Sequence, residues 1–422
     1  WRASARRGSL VACEWEGESG AGLEVVLDRR TSPERLEEAL SVAAAIVLAG
    51  PAVAARVPWH RLLVATGASA LAWPVALALL DGGQALARPV LSDGGYLTAV
   101  AQVGSPGAFL DSFTEQIRGY PIHVQGHPPG LVLGLFGLDR IGLGGSTVAT
   151  TLYLGGGAAA APAVLVAARD VAGEAWARRA APFVVLAPAA LWVATSADAL
   201  FAGVGAWAVA LVVLATGRRG VDGDRLALGG GLLFGVAVFL SYGLVLLAVI
   251  PTVVAWHRRR PRALVVSATA AGVVAVAFFA AGFSWFDGVW TTRQRYFDGI
   301  AGDRPYAAFA VANLACLAIA LGPALAVALA RLRDRRAWLL VGGALGAIAI
   351  ADLTGMSKGE VERIWLPFVP WILLAGGVLA AATAFEWPRS RGPGAPRRAV
   401  QGWLALQAAT AVGLQTLVHT PW

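Results

Sequence analysis

Apolar stretches of about 20 residues recur along this chain, and short polar turns separate them. Each stretch is long enough to cross the hydrocarbon core of a bilayer as an α-helix. The strict alternation that membrane β-barrels require is absent. The pattern therefore predicts an all-α fold, a polytopic transmembrane helical bundle of about 11–13 spans. The predicted spans lie near residues 40–56, 61–80, 146–168, 181–194, 198–216, 227–241, 244–256, 263–282, 307–330, 337–353, 364–384 and 400–420.

Two intervals depart from this pattern. Residues 1–39 form a polar N-terminal segment, and residues 81–130 form a long polar loop inside the transmembrane domain at 40–422. The short apolar piece 131–145 follows the loop and is too short for a confident crossing, so we expect it to be half-inserted or re-entrant. The chain begins at Trp1 rather than Met, so we expect further sequence upstream.

Composition supports a membrane protein. Hydrophobic residues make up 57% of the 422 residues and charged residues 14%, whereas a soluble domain is about 25% charged. The net charge of +8 could indicate nucleic acid, but most arginines fall in turns on one side of the predicted bundle. Such a bias marks cytoplasmic loops beside anionic lipids, so we expect a multi-pass plasma-membrane protein with no nucleic-acid partner. The arginine-rich turns on that side are 169–179, 218–219, 257–260, 331–336 and 389–398.

The long loop contains the first candidate chemistry. Its polar part, Ser92–Gly130, opens with Asp93 and Tyr96 and closes with His123 and His127 followed by two prolines. A carboxylate here could accept a proton from a hydroxyl acceptor, and histidines could shuttle protons or bind phosphate oxygens. The alternative is an ordinary solvated loop with a proline at the start of a helix. The acids available in the loop are Asp93, Asp111 and Glu115.

Asp198 is a lone acid between two apolar runs. An ionisable group at the membrane edge is a functional hypothesis, because removing it from water is costly. The alternative is a helix N-cap, since Thr195, Ser196 and Asp198 are all good capping residues. The two interpretations are compatible.

Two later segments place cations on the predicted outer side. Residues 291–306 contain Arg293, Arg295 and Arg304, against the usual arginine bias; a phosphate ligand would explain them, since guanidinium binds phosphate bidentately. Salt bridges to aspartates of the same segment are the alternative. Residues 357–365 contain Lys358, Glu360, Glu362 and Arg363, which could bind a lipid-linked phosphate. Lys358 and Glu362 also have the spacing of a structural helix pair.

Together these features resemble the GT-C glycosyltransferases, in the branch of protein mannosyltransferases and lipid A aminoarabinose transferases. The resemblance rests on a D-x-x-Y arrangement (Asp93, Tyr96), on an HPP loop exit beginning at His127, and on a second acid, Asp198, near the outer end of a later span. It covers about residues 60–215.

The resemblance implies a GT-C-like bundle with a large extracytoplasmic first loop, which serves as the catalytic loop. It implies sugar transfer from a polyprenyl-phosphate donor to a lipid, glycan or protein on the outer side. Asp93 would activate the acceptor, and Asp198 would be the second catalytic acid. It leaves open a divalent cation, Mg²⁺ or Mn²⁺, without assigning a metal ligand. The residues expected to bind substrate and donor are Tyr96, His123, His127, Arg293, Arg295, Arg304, Lys358, Glu362 and Arg363.

One departure from the family pattern affects the first acid. Relatives often carry a second acid after it, whereas Gly94 follows Asp93 here, so Asp81 or Asp111 remains an alternative base. A transporter or flippase for a lipid-linked or small polar substrate is the rival function. Such proteins often contain inverted repeats, and none is evident in this sequence.

Overall fold

The computed structural model shows a predominantly helical chain. It describes residues 2–6, 9–14, 25–26, 31–380 and 395–418. The predicted basic turn at 389–398 and the end of the predicted span 364–384 lie largely outside these residues. Among the first 30 residues, β1 (Arg2–Arg6), β2 (Ser9–Glu14) and β3 (Val25–Val26) form a small antiparallel sheet in the order β1-β2-β3. The polar pattern of residues 1–39 did not predict these strands.

The rest of the described chain is built from helices joined by short turns. Its α-helices are α1 (Pro33–Arg56), α2 (Trp59–Ala78), α3 (Tyr96–Val100), α4 (Pro106–Ser112), α5 (Ile122–Gln125), α6 (Gly130–Arg140), α7 (Ser146–Ala172), α8 (Glu174–Val185), α9 (Ala197–Thr216), α10 (Gly220–Leu240), α11 (Val249–Arg258), α12 (Pro261–Ala280), α13 (Trp285–Asp298), α14 (Ile300–Asp303), α15 (Tyr306–Leu321), α16 (Pro323–Arg331), α17 (Arg335–Leu353), α18 (Val361–Ile364), α19 (Val369–Leu373) and α20 (Ala395–Leu417). Turns of 3₁₀ helix lie at Leu79–Asp81, Gly83–Leu86, Ile117–Gly119, Pro188–Trp192, Tyr242–Ala248 and Leu374–Gly376.

The predicted polytopic helical bundle is confirmed. Within the described residues, seven helices are long and apolar enough to span a membrane, or eight if the bent pair α15 and α16 is one span. This number is below the 11–13 expected, because several predicted spans are short or interrupted by prolines, which cannot donate a helix hydrogen bond. The span expected at 181–194, for example, contains the end of α8 and the turn Pro188–Trp192. The seven are Pro33–Arg56, Trp59–Asp81, Ser146–Ala172, Ala197–Thr216, Gly220–Leu240, Pro261–Ala280 and Arg335–Leu353.

The break between α15 and α16 shows how the bundle accommodates irregular backbone. The two helices meet at 98° around Gly322, whose φ of +79° is open to glycine but strained for other residues. Gln407 of α20 is fully buried there; its Nε2 donates to the Leu321 carbonyl at 2.7 Å, and its Oε1 accepts from the Ala324 N–H at 3.2 Å. A side chain thus satisfies backbone groups that would otherwise be unpaired in an apolar setting.

One end of the bundle, which we call the basic end, gathers four arginine-rich turns. Arg178 donates to the carbonyls of Ala54 and Val57 at 2.8 and 2.9 Å, and this contact joins the start of α8, just after the α7–α8 turn, to the α1–α2 turn. Asp170 near the end of α7 binds both Arg218 and Arg258, at 2.8 and 2.7 Å. The turns after α1, α7, α9 and α11 therefore lie at the same end.

The opposite end, which we call the loop end, collects the long polar segments. The loop 79–145 contains α6, whose 11 residues rise only about 16 Å, so α6 is too short to cross. Arg118 in this loop forms an ion pair with Asp298 of α13 at 2.7 Å, and Arg295 of α13 donates to Gln125 of α5. The loop and the segment after α12 are thereby joined at one end.

Candidate active site

Asp198 lies at the loop end, in the first turn of α9. Ser196 is the N-cap; its Oγ accepts from the Asp198 N–H and donates to Asp198 Oδ2, both at 3.1 Å. The Asp198 residue is only 4% exposed. The helix N-terminus favours a negative charge at this position, so the carboxylate has an electrostatic reason to be there, and Ser196 rather than Asp198 provides the cap.

The partner of this buried carboxylate comes from the far end of the sequence. Arg363 on α18 donates through Nη1 to Asp198 Oδ2 at 2.8 Å and through Nη2 to Glu360 Oε2 at 2.7 Å. Asp198 and Arg363 are 165 positions apart in the chain. Their side chains are 6% and 15% exposed, so this is a largely desolvated ion pair, in which each charge depends strongly on the other.

The long loop adds aromatic and imidazole groups beside this pair. Tyr96 is buried, and its ring centroid lies 6.4 Å from that of His123 and 5.9 Å from that of His127. His127 Nδ1 donates to the His123 carbonyl at 2.7 Å. The His127 ring also lies 5.4 Å from the ring of Phe201, one turn after Asp198 on α9. Tyr96, His123 and His127 thus form a layer against the helix that carries Asp198.

Burial fixes the charge state of these loop groups. It lowers the pKa of His123 to about 4, with the Arg363 guanidinium and His127 adding to the effect. Burial also lowers the pKa of His127. It raises the pKa of the Tyr96 phenol, and the Asp198 carboxylate raises it further. A neutral His123 binds oxygen atoms as a hydrogen-bonding group rather than as a cation.

The depressed pKa of His123 makes stability depend on pH. Unfolded histidine titrates near 6.5 and folded His123 near 4, so between these values the unfolded state binds more protons. Neutral His123 therefore makes its full contribution to the free energy of unfolding above about pH 6.5. This contribution is lost as the pH falls through 4, and the loss amounts to as much as about 3 kcal/mol. His123→Gln should therefore lose less stability than the wild type between pH 7 and pH 4. Chemical unfolding at several pH values measures this difference, and identical pH profiles for the two proteins would contradict it.

Asp93 lies at the rim of the cluster rather than inside it. Its residue is exposed, and the next residue, Gly94, accepts a hydrogen bond from the His123 N–H at 3.2 Å. A Cβ at Gly94 would lie 2.9 Å from Cγ2 of Ile122. A residue with a side chain at this position would therefore require the exposed Ile122 side chain to shift. Within the described residues, no hydrogen bond or ion pair joins Asp93 to Asp198.

The alternative acids lie elsewhere at the loop end. Asp81 accepts a hydrogen bond from Gln415 of α20 at 2.6 Å. Asp111 packs against Gly282, just after α12. Of the three acids, Asp93 is the one next in sequence to Gly94, whose carbonyl accepts the hydrogen bond from the His123 N–H.

Lys358 has an unexpected environment. The residue is 8% exposed, and its Nζ donates to the carbonyls of Ala301 and Arg304, both at 2.9 Å. Arg304 in turn donates to the Lys358 carbonyl. In this arrangement Lys358 and Arg304 fasten the segment after α13 to the segment before α18.

The remaining predicted residues make other contacts. Arg293 is exposed and lies 4.9 Å from the centroid of the Phe297 ring. Arg295 Nε donates a hydrogen bond to Gln125 Oε1 in the long loop. Glu362 is half-buried on α18, next to Arg363. The predicted salt bridges of Arg293, Arg295 and Arg304 within their own segment are not among the ion pairs of the described residues, and Asp298 binds Arg118 instead.

Sequence reasoning named both ends of the central ion pair but did not pair them. It named Glu360 in the same segment but did not predict that Glu360 binds the second arm of Arg363, although the i, i+3 spacing of these residues was a visible signal. Within the described residues, no group of three or more His, Cys, Asp or Glu side chains could hold a metal ion. Asp198 and Glu360 are instead bridged by a guanidinium, an arrangement that does not suit Mg²⁺ or Mn²⁺.

Comparison with known proteins gives few matches. No family model and no curated protein matches the chain. Among solved structures, ArnT from Cupriavidus metallidurans bound to undecaprenyl phosphate is 16% identical with a TM-score of 0.47, covering 76% of this chain and 75% of that chain. The apo structure of the same protein is 16% identical with a TM-score of 0.43, covering 74% and 72%.

Proposed function

We propose that this protein is an integral membrane glycosyltransferase of the GT-C type. It would transfer a sugar from a polyprenyl-phosphate donor to a lipid, glycan or protein acceptor. The observation that carries the proposal is the buried Asp198–Arg363 pair with the Tyr96 and His127 layer beside it. Three distant parts of the chain meet there, and each contributes a residue that the sequence predicted to take part in catalysis or in binding the substrate and donor.

The location of the cluster suits a donor anchored in the bilayer. The positive-inside rule assigns the basic end to the cytoplasm, so the loop end and the cluster would face the extracytoplasmic side. A polyprenyl chain would remain in the membrane while its phosphate reaches the cluster at the membrane edge.

The proposed reaction is a single displacement at the anomeric carbon. The acceptor hydroxyl oxygen forms a bond to that carbon, and the bond from the carbon to the phosphate oxygen breaks with both its electrons. The acceptor proton passes to Asp93, which is exposed and accessible to an acceptor from the aqueous side. The polyprenyl phosphate leaves with the additional negative charge.

Arg363 would stabilise that leaving group. A guanidinium presents five N–H donors in a planar fork, so it can hold carboxylates and a phosphate together. Asp198 and Glu360 fix its position before the donor arrives, and preorganised donors of this kind are a major source of rate enhancement. Arg295 lies beside the loop as a further cation. Lys358 and Arg304 would act mainly by holding the α18 segment in place, and no step of this mechanism passes through a metal ion.

Asp93→Asn should lower the rate of transfer by about 10²–10⁴-fold, the usual contribution of a general base. Because Asp93 is exposed, the thermal unfolding midpoint should not change. Glu115→Gln, which alters another exposed acid of the same loop, is the matched control and should transfer normally. Unchanged transfer by a folded Asp93→Asn protein would remove Asp93 from the mechanism.

The proposal itself is tested with purified protein in lipid vesicles. The probes are undecaprenyl phosphate, named as the ligand of one similar structure, and its mannosyl, glucosyl and arabinosyl derivatives. A transferase should release undecaprenyl phosphate from at least one derivative when membrane extracts supply acceptors, and mass spectrometry would detect the new glycoside. Movement of the intact glycolipid across the bilayer without loss of its sugar would support a flippase instead.

A further inference from the structure

Thr195 has a strained backbone directly before the helix that carries Asp198. Its φ is +59°, in the left-handed region, where a β-branched residue is a genuine outlier. Strain of this kind costs about 1–3 kcal/mol and often persists at ligand-binding sites. Glycine would adopt this conformation without strain, so the position carries a side chain that the backbone does not favour.

The Thr195 side chain has an unmet hydrogen-bonding requirement. The residue is 2% exposed, and its Oγ1 has no hydrogen-bond partner among the described residues. A buried polar group left unpaired costs about 1–3 kcal/mol. Strain and an unsatisfied hydroxyl therefore coincide at one residue, three positions before Asp198.

Two indole groups on the segments that meet at the Asp198–Arg363 ion pair share this condition. Within the described residues, the Nε1 atoms of Trp192 and Trp365 are also buried without a partner. Trp365 follows Arg363 by two residues, and Trp192 belongs to the turn Pro188–Trp192, which packs against α18. The three groups lie on the two chain segments that the Asp198–Arg363 ion pair joins.

We propose that the Thr195 hydroxyl, with the indole N–H groups of Trp365 and Trp192, forms a subsite for the hydroxyl groups of the donor sugar. The inference rests on the proposed function and adds to it a sugar-binding role for residues outside the ion pair. An indole N–H only donates, whereas a threonine hydroxyl donates and accepts, so their natural ligand presents several oxygens that do both. Sugar hydroxyls do so, and sites built to bind hydroxyls discriminate strongly against ligands that lack them.

The test compares Thr195→Val with Thr195→Ser. Valine has nearly the shape of threonine and the same β-branch, so it keeps the backbone strain and removes only the hydroxyl; serine keeps the hydroxyl. Binding is measured with undecaprenyl phosphate and with the sugar derivative, of the three named above, that the wild type binds most tightly. Thr195→Val should weaken binding of the derivative about tenfold and leave binding of undecaprenyl phosphate unchanged. Thr195→Ser should bind both lipids like the wild type.

Thermal unfolding adds a readout that separates this role from a structural one. Loss of an unpartnered hydroxyl should leave Thr195→Val as stable as the wild type or more stable. A destabilised Thr195→Val protein, or an equal loss of affinity for both lipids, would overturn the subsite. Normal binding of the derivative by Thr195→Val, with transfer intact in the wild type, would refute the subsite and leave the proposed function standing. Absence of any preference for the sugar derivatives in the wild type would refute the subsite, and absence of transfer would refute the function.

Discussion

Asp198→Asn should lower kcat/KM for sugar transfer by about 10²–10³-fold, the loss typical when one preorganised electrostatic contact is removed. The asparagine keeps the size of the side chain and one acceptor oxygen for Arg363, but it removes the negative charge that holds the guanidinium. Arg363 would then be held by charge mainly through Glu360, on its other arm. Initial rates at saturating and limiting donor, each normalised to folded protein, measure the effect on kcat and on kcat/KM.

The basic end provides a matched control for this experiment. Asp170 and Arg258 form another largely buried aspartate–arginine pair, at 2.7 Å with side chains 14% and 20% exposed. Asp170→Asn removes the same charge from the same kind of pair, far from the proposed chemistry. Its transfer rate per folded molecule should equal that of the wild type. Equal losses in Asp198→Asn and Asp170→Asn would show that the Asp198 effect is only structural.

Asp170→Ala should produce the largest loss of stability, about 3 kcal/mol, because removing one partner leaves a buried charge uncompensated. The Asp170 carboxylate binds Arg218 and Arg258, and the Arg258 guanidinium also donates to Thr216 Oγ1 at 2.9 Å. The substitution thus releases a junction of α7, α9 and α11. Equilibrium unfolding in mixed detergent micelles measures the change.

Asp224→Ala is the control for that loss. Asp224 also pairs with an arginine, Arg262, at 2.8 Å, but the arginine side chain is 79% exposed. Surface pairs contribute little because water screens them, so no measurable change in stability is expected. Similar destabilisation by both substitutions would contradict the role assigned to Asp170.

The features that depend on the local pattern of residues, namely the spans, the arginine-rich turns and the polar loop, were predicted from the sequence. Hydrophobic length located most spans, and three of the turns grouped by the arginine bias (169–179, 218–219 and 257–260) lie together at the basic end. The polar loop between α2 and α7 was also recognised, because no apolar run of spanning length interrupts it. The break at Gly322 was not predicted, since its stability depends on Gln407 of another helix.

The pairing at the centre of the candidate site was not predicted. Asp198 and Arg363 were both candidates, yet only tertiary packing brings residues this far apart in the chain into contact. Lys358 illustrates the opposite case, because its charge suggested a phosphate ligand while the structure surrounds its ammonium with the carbonyls of Ala301 and Arg304. A sequence pattern identifies a charged side chain, whereas the fold determines which group that side chain contacts.

The position of the donor phosphate tests the central claim most directly. A cryo-electron microscopy structure of the protein with undecaprenyl phosphate bound would locate it. The proposed mechanism predicts phosphate oxygens about 3 Å from the Arg363 guanidinium, beside Asp198 at the loop end. A phosphate bound at the basic end, or at the loop end without contact to Arg363, would contradict that mechanism.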